Sequence, residues 1–221
     1  MKIVKPSAKL DWITPNPLEV IERAGRTAYK SEWKIAPGSA EMFVRMIMKR
    51  GHLSVIEHAS AAFRFICDRG VSHEIVRHRL ASYTQESTRF CRYSKERFGK
   101  EISVIAPSHP TPLEPRSYSI WLDAMVDAQD AYFKMLDAGQ PAQIARSVLP
   151  TCLKTEIVTT ANLREWTHIF RMRLSKAAHP QIRYIMALAC RDLINRCRPI
   201  FESYEGPAKE ILEKYEQVKD E

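Results

Sequence analysis

The sequence predicts an α+β fold: one domain over residues 1–221, with a central, mostly antiparallel sheet flanked by helices and a helix-rich C-terminal half. Three observations carry that expectation. Apolar residues recur at helical spacing in several segments, the longest of them after residue 115. Shorter stretches, 60–67, 102–106 and 157–160, alternate or are β-branched and read as strands. No repeat, low-complexity tract or linker divides the chain, whose 221 residues suffice for one large core.

The elements follow in order. Residues 1–13 begin with a short strand. Pro15-Asn16-Pro17 opens a helix to about Tyr29, with Leu18, Ile21 and Ala24 on its apolar side. A second helix spans 39–50, with Met42, Phe43, Met46 and Ile47 as its stripe and Gly51 as its stop. The 60–67 strand precedes a short helix over 71–79, which delivers an arginine-rich stretch into a loop. After the 102–106 strand, the proline-rich stretch 107–115 ends that unit. A long helix covers 116–137 and stops at Ala138-Gly139, and 141–149 adds a helical turn or two before Pro150. Beyond the 157–160 strand, Asn162 is placed to cap the next helix, with Glu165 three residues on in a capping-box pattern. Helices over 163–174, 180–204 and 207–219 complete the chain.

Composition excludes several classes. Hydrophobic residues make up 45% and charged residues 27%, ordinary for a globular protein. No apolar run reaches the roughly 18 residues of a membrane span, and the N-terminus lacks a signal peptide's apolar core. A cytoplasmic protein without membrane contact is the expectation. The five cysteines are odd in number, scattered and free of C-x-x-C, which suits reduced thiols; Cys190 and Cys197, one heptad apart, read as core. A net charge of +8 means either an anionic partner or a basic surface. Only seven glycines occur, none close to another, so neither a G-x-G-x-x-G turn nor a Walker loop is present. Any nucleotide must therefore be held by side chains. His73-Glu74-Ile75-Val76-Arg77-His78 resembles a zinc motif but spaces its histidines by five, about 140° apart on a helix, so no metal site is expected.

Residues 77–93 are the most informative stretch. They hold Arg77, His78, Arg79, Ser82, Gln85, Glu86, Ser87, Thr88, Arg89 and Arg92 with few aliphatic side chains. Either this is a solvated loop, or it surrounds something anionic, because guanidinium forks match phosphate oxygens in pairs while hydroxyls and amides fix orientation. Three further places stay open on the residues alone. His52 to His58 is a turn or a ligand contact. Arg146, in an apolar helix before Pro150, is snorkelling or poised at a ligand. Arg164 and His168 share a helix face, with Arg173 in the last turn, as a basic surface or a site.

Arg77-His78-Arg79, with Ser87 and Arg89, resembles the R-H-R-x7-S-x-R signature of flavin-dependent thymidylate synthases. The other pieces match that family in order over roughly residues 15–205. His52-x-Ser54-x-x-Glu57-His58 resembles its H-x-T/S-x-x-E-H turn, Ala145-Arg146-x-Val148-Leu149-Pro150 its A-R-x-x-L-P stretch, and Asn162 to Arg173 its N-x-R…H/N…R helix. The resemblance implies a methyltransferase of nucleotide biosynthesis that converts dUMP to dTMP, with methylenetetrahydrofolate as carbon donor and electrons passing from NADPH through FAD. It implies FAD contacts at His52, Ser54, Glu57, Arg77, His78, Arg79, Gln85, Asn162, Arg164 and His168. It places Glu74, Gln85, Glu86, Ser87, Thr88, Arg89, Arg146 and Arg173 around dUMP. Arg173 and Ser87 are the candidate catalytic residues, Arg173 for charge developing on the uracil ring and Ser87 as a positioning hydroxyl without a nucleophilic role. It also implies a homotetramer with active sites shared between subunits, and no nucleic-acid partner.

The chain departs from the family pattern at Thr84 and Gln85, where Asn-Glu is common, with a carboxylate at Glu86 instead. Glu74 stands where glutamine is frequent, Phe90 where tyrosine is usual, and His168 where some members carry asparagine. Two other readings compete. One is a basic nucleic-acid-binding protein that stacks bases on Tyr83, Phe90 and Tyr93. The other is a metal-independent phosphoester enzyme working through His78.

Overall fold

The computed structural model describes residues 1–96, 99–107 and 113–217. Its centre is a four-stranded antiparallel sheet in the order β2 (Ser7–Ile13), β3 (Ser60–Asp68), β6 (Lys154–Asn162), β4 (Ala81–Gln85). A separate two-stranded parallel pair joins β1 (Lys2–Ile3) to β5 (Ser103–Val104). The helices are α1 (Pro17–Thr27), α2 (Ser39–Lys49), α3 (Arg69–Ile75), α4 (Pro115–Asp137), α5 (Ala142–Ala145), α6 (Leu163–Arg173), α7 (Pro180–Phe201) and α8 (Glu205–Gln217). The α+β class and the helix-rich C-terminal half match the expectation from sequence.

The sheet has one buried face because strand side chains alternate. Ala61, Phe63, Phe65 and Cys67 of β3 point inward beside Thr155, Ile157, Thr159 and Ala161 of β6. Against them pack Leu163, Trp166, Ile169 and Phe170 of α6 and the apolar run of α7. Trp166 is the keystone: its ring meets Phe63 edge-on at 5.0 Å, and its Nε1–H donates to the Ala61 carbonyl at 3.1 Å. On the opposite face Arg64 pairs with Asp11 and Glu156. Cys190 and Cys197 lie in the core, as their spacing suggested. Pro199 sits within α7, where its missing N–H cannot donate to the carbonyl of Asn195, and non-helical Cys197 marks the kink. A second, smaller core beside the β1–β5 pair gathers Tyr93, Ile102, Val104, Met125, Tyr132, Leu136, Ala145 and Leu153. Among the described residues no helix is long and apolar enough to cross a membrane.

Three local expectations are corrected. The buried stripe of α2 is Ala40, Phe43, Val44 and Ile47, with Met42 exposed; packing on α1 and α7 selects this face over an equally apolar neighbouring one. The helix after β3 ends at Ile75, not near Arg79, because the chain turns away and the Tyr83 hydroxyl donates to the His78 carbonyl at 2.6 Å. The arginine-rich stretch is not all loop. Ala81, Tyr83 and Gln85 turn inward while Ser82 and Thr84 face out, and the segment pairs with β6 as an edge strand. Of the proline-rich stretch, residues 108–112 lie outside the described residues, as do 218 and 219 at the end of the last expected helix.

Candidate active site

Strand β4 divides the expected site residues into two groups. Before it, a tight turn carries Arg77, His78 and Arg79; beyond it come Glu86 to Arg89. Five residues of strand span roughly 16 Å, so one chain does not bring both arginine groups onto the same small ligand.

The first group faces α6. Asn162 caps that helix, its Oδ1 accepting the Glu165 backbone N–H at 2.8 Å, which fixes the direction in which Arg164, Glu165 and His168 project. Glu57, Leu80, Asn162, Arg164, Glu165 and His168 line a cavity of about 520 Å³. It adjoins a second of about 480 Å³, lined by Glu57, Arg79, Leu80, Ser82 and Asn162 among others. Arg164 is paired with Glu57. His52 and Ser54 lie exposed at and just inside the short 3-10 segment Leu53–His58 that ends at β3, and Arg77 is exposed on the turn.

His78 is buried and joins this cavity to Arg173. Its ring lies edge-on to His168, with centroids 5.7 Å apart, and its Nδ1 is 3.9 Å from the Glu165 carboxylate. Its Nε2 accepts the Arg173 Nε–H at 2.9 Å, so the neutral ring carries its proton on Nδ1. Arg173 also donates from Nη1 to the Glu74 carboxylate at 2.7 Å and from Nη2 to the Glu74 carbonyl at 2.9 Å. Burial, then the Arg173 and His168 charges, push the His78 pKa down to about 4. Burial raises that of Glu165, opposed by His168.

A pH dependence follows. Between about pH 4 and 6.5 the unfolded chain takes up a proton at His78 that the folded chain refuses, so stability rises with pH across that window. The contribution is on the order of 1–2 kcal/mol once solvent access to the turn is allowed for. Urea unfolding midpoints measured across this range should flatten in His78→Gln. An unchanged slope would assign the titration to another group.

The second group has its own contacts. The Thr88 hydroxyl accepts from Arg146 at 3.0 Å, the Ser87 hydroxyl accepts the Arg89 backbone N–H at 3.3 Å, and the Arg89 guanidinium lies over the Phe90 ring at 5.4 Å. Arg146 is thus not snorkelling alone; it is exposed and aimed at the hydroxyl-rich turn. Glu86 turns elsewhere, pairing with Lys154 at 2.8 Å and accepting from the Tyr93 hydroxyl at 3.2 Å. With Tyr93 and Lys154 it lines a cavity of about 650 Å³. Gln85 points to the inner face, its amide donating to Ser72 and Thr155 at 2.8 and 3.1 Å.

Sequence reasoning missed Glu165 as a site-facing residue, having read it only as part of a cap. It also missed Leu80, which lines both cavities of the first group, and Lys154, whose partner is 68 positions away. The helical spacing of Arg164 and His168 around Glu165 was the available signal for the first of these. Among the described residues, His78, Glu165 and His168 bring one possible metal ligand each within 4.8 Å. Arg173 occupies His78 Nε2 and Arg171 lies 3.1 Å from His168 Nδ1, so guanidinium charge opposes a cation there. The surroundings carry both signs, with the Glu57 and Glu165 carboxylates beside Arg164 and His168. Arg79, Arg164, His168 and Asn162 around two adjoining cavities form a donor set that fits the phosphates and ring edge of a flavin dinucleotide.

Residues 9–200 match the family model described as thymidylate synthase complementing protein. The flavin-dependent thymidylate synthase of Geobacter sulfurreducens is 34% identical over 201 residues, 88% of this chain and 84% of that protein. The flavin-dependent thymidylate synthase of Pyrococcus furiosus is also 34% identical, over 86% of this chain and 80% of its own length. The crystal structure of a UMP/dUMP methylase PolB from Streptomyces cacaoi, bound with 5-Br dUMP, superposes with a TM-score of 0.78 over 93% of this chain and 97% of that chain. At 19% identity that likeness speaks to the fold alone. With the family model matched over most of its length and its relatives alike over most of theirs, this chain belongs to the family of flavin-dependent thymidylate synthases.

Proposed function

We propose that this protein methylates dUMP at carbon 5 to give dTMP, with FAD as cofactor and methylenetetrahydrofolate and NADPH as co-substrates. The observation that carries the reading is the Arg173 guanidinium, anchored on His78 and Glu74 one imidazole away from a donor-rich cavity. Carbon 5 of uracil becomes nucleophilic only as negative charge builds on the ring oxygens and N3. A fixed cation at that edge stabilises the charge where it develops.

The redox chemistry belongs to the flavin when it is bound, leaving binding, orientation and electrostatics to the protein. Arg77, Arg79 and Arg164 supply charge for its phosphates, while His52, Ser54, Glu57, Asn162 and His168 supply directed polar contacts. Gln85, held on the inner face by Ser72 and Thr155, stands apart from this surface. Arg89, Arg146 and the Ser87 and Thr88 hydroxyls clamp the nucleotide phosphate. No cysteine nucleophile is required. Burial pushes the thiols of Cys190 and Cys197 up to about 12 and raises those of Cys67 and Cys152, so none of these is a ready thiolate.

The separation of the phosphate clamp from Arg173 by the length of β4 supports a site completed by a second copy of the chain, in a homotetramer. The whole of residues 1–221 acts as one domain in the cytoplasm in this reading. Family membership favours it over a nucleic-acid-binding or phosphoester-cleaving protein.

The test is tritium release from dUMP labelled at carbon 5, with FAD, NADPH and methylenetetrahydrofolate supplied and each omitted in turn. Release that needs FAD and yields dTMP is the expected result. Folded, flavin-bound protein that releases none would overturn the substrate assignment, and colourless protein with salt-dependent nucleic-acid affinity would overturn the class.

A further inference from the structure

Arg173 must present its guanidinium in one orientation, and the structure shows what holds it. Three of its five N–H donors are committed within the chain: Nε to His78 Nε2, Nη1 to the Glu74 carboxylate, and Nη2 to the Glu74 carbonyl. Two of those three acceptors belong to a single residue in the last turn of α3. The side chains of Arg173 and Glu74 are 16% and 35% exposed, so the pair keeps an open side.

We propose that Glu74 is a positioning residue: its carboxylate and carbonyl aim Arg173 before any nucleotide arrives, leaving two N–H donors that have no partner among the described residues for the pyrimidine edge. This rests on the reading of Arg173 as the pyrimidine-facing group. A carboxylate restrains a guanidinium more firmly than an amide does, because the bond is charge-assisted. The anchor works across 99 positions of sequence, tying the turn after β3 to the end of α6, so the aim of Arg173 follows from how those two elements pack. Glu74 acts through Arg173 and needs no contact with the reacting atoms. Its loss should therefore lower the rate of the chemical step more than nucleotide affinity. A misplacement of about 1 Å at such a group costs up to ~100-fold in rate.

Glu74→Ala and Glu74→Gln test it against the parent enzyme, loaded with FAD. The alanine variant is expected to lose about 10- to 100-fold in kcat, with the KM for dUMP changed by less than about threefold. The glutamine variant, which keeps an acceptor at the same place, should recover to within about fivefold of the parent. Flavin absorbance and the thermal midpoint should stay at parental values in both. A merely structural role would move the midpoint and would not produce a kcat effect that glutamine reverses.

A second readout needs no turnover. The Arg173 Nη1–H resonance, assigned by its loss in Arg173→Lys, should be protected from exchange in the parent and in Glu74→Gln and exchange rapidly in Glu74→Ala, which removes the carboxylate it donates to. Equal protection in all three overturns the proposal whether or not the protein makes dTMP. Alanine kinetics equal to the parent's, in a parent that does make dTMP, overturn it as well. A parent that makes no dTMP but shows the protection pattern would refute the reaction and leave the anchor standing.

Discussion

Arg173→Ala is expected to reduce kcat for dTMP formation by about 10²–10³-fold, the cost of losing one preorganised electrostatic partner of a developing charge. The structure says why nothing nearby substitutes. Arg164 is paired with Glu57, Arg171 is turned to His168, and Arg146 contacts Thr88 beyond the far end of β4. Lysine at 173 should recover little, because an ammonium is a point charge and lacks the planar fork that meets His78 and Glu74 together. A spectroscopic sign accompanies the kinetic one. With the Arg173 charge gone, one of the causes that lower the His78 pKa disappears, and the ring should titrate nearer its ordinary value. Single-turnover kinetics on flavin-loaded protein, with a titration of the His78 ring by NMR, measure both. A variant within tenfold of the parent would remove Arg173 from the reaction.

Trp166→Ala is expected to be the most damaging core substitution, at about 3–5 kcal/mol. The ring is fully buried among Phe63, Phe65 and Phe170, where β3 meets α6. Truncation opens a cavity and strips the Ala61 carbonyl of its donor, which adds about 1 kcal/mol in a buried setting. Trp166→Phe fills most of the space and forfeits the hydrogen bond, so a loss of about 1–2 kcal/mol is expected there. Urea unfolding of the three proteins measures the series. A loss under about 2 kcal/mol for the alanine variant would mean that α6 is held to the sheet chiefly by its neighbours. The consequence reaches the site, because α6 carries Arg164, His168 and Arg173 on its other faces.

Much of the architecture was legible because its signals are local. Gly51 and Gly139 end their helices with φ of +71° and +86°, a conformation that costs glycine little. Asn162 caps α6 through a spacing visible in four letters, and the heptad between Cys190 and Cys197 placed both in the core. Strand β4 was not legible. Ser82 and Thr84 alternate with Ala81, Tyr83 and Gln85, a pattern with almost no hydrophobic contrast, and only the free edge of β6 makes it a strand. The face of α2 was misread for a related reason: Met42 and Val44 are both apolar, and contact with α1 and α7 chose between them.

The sequence by itself determined the class of fold, the positions of most helices and the list of residues that carry the family signature. It excluded a glycine-rich phosphate loop as well, since the glycines for one are missing. Only the tertiary structure decided which of those residues meet. It set Arg173 on Glu74 and His78 from 99 and 95 positions away, turned the Glu165 carboxylate from a helix cap toward a buried imidazole, and sent Glu86 to Lys154. It also put a strand's length between the two arginine groups that look contiguous in the sequence. Caps, turns and periodicity act over a few bonds and can be read in order along the chain. Which guanidinium finds which carboxylate depends on the packing of elements far apart in it, and packing exists only once the chain has folded.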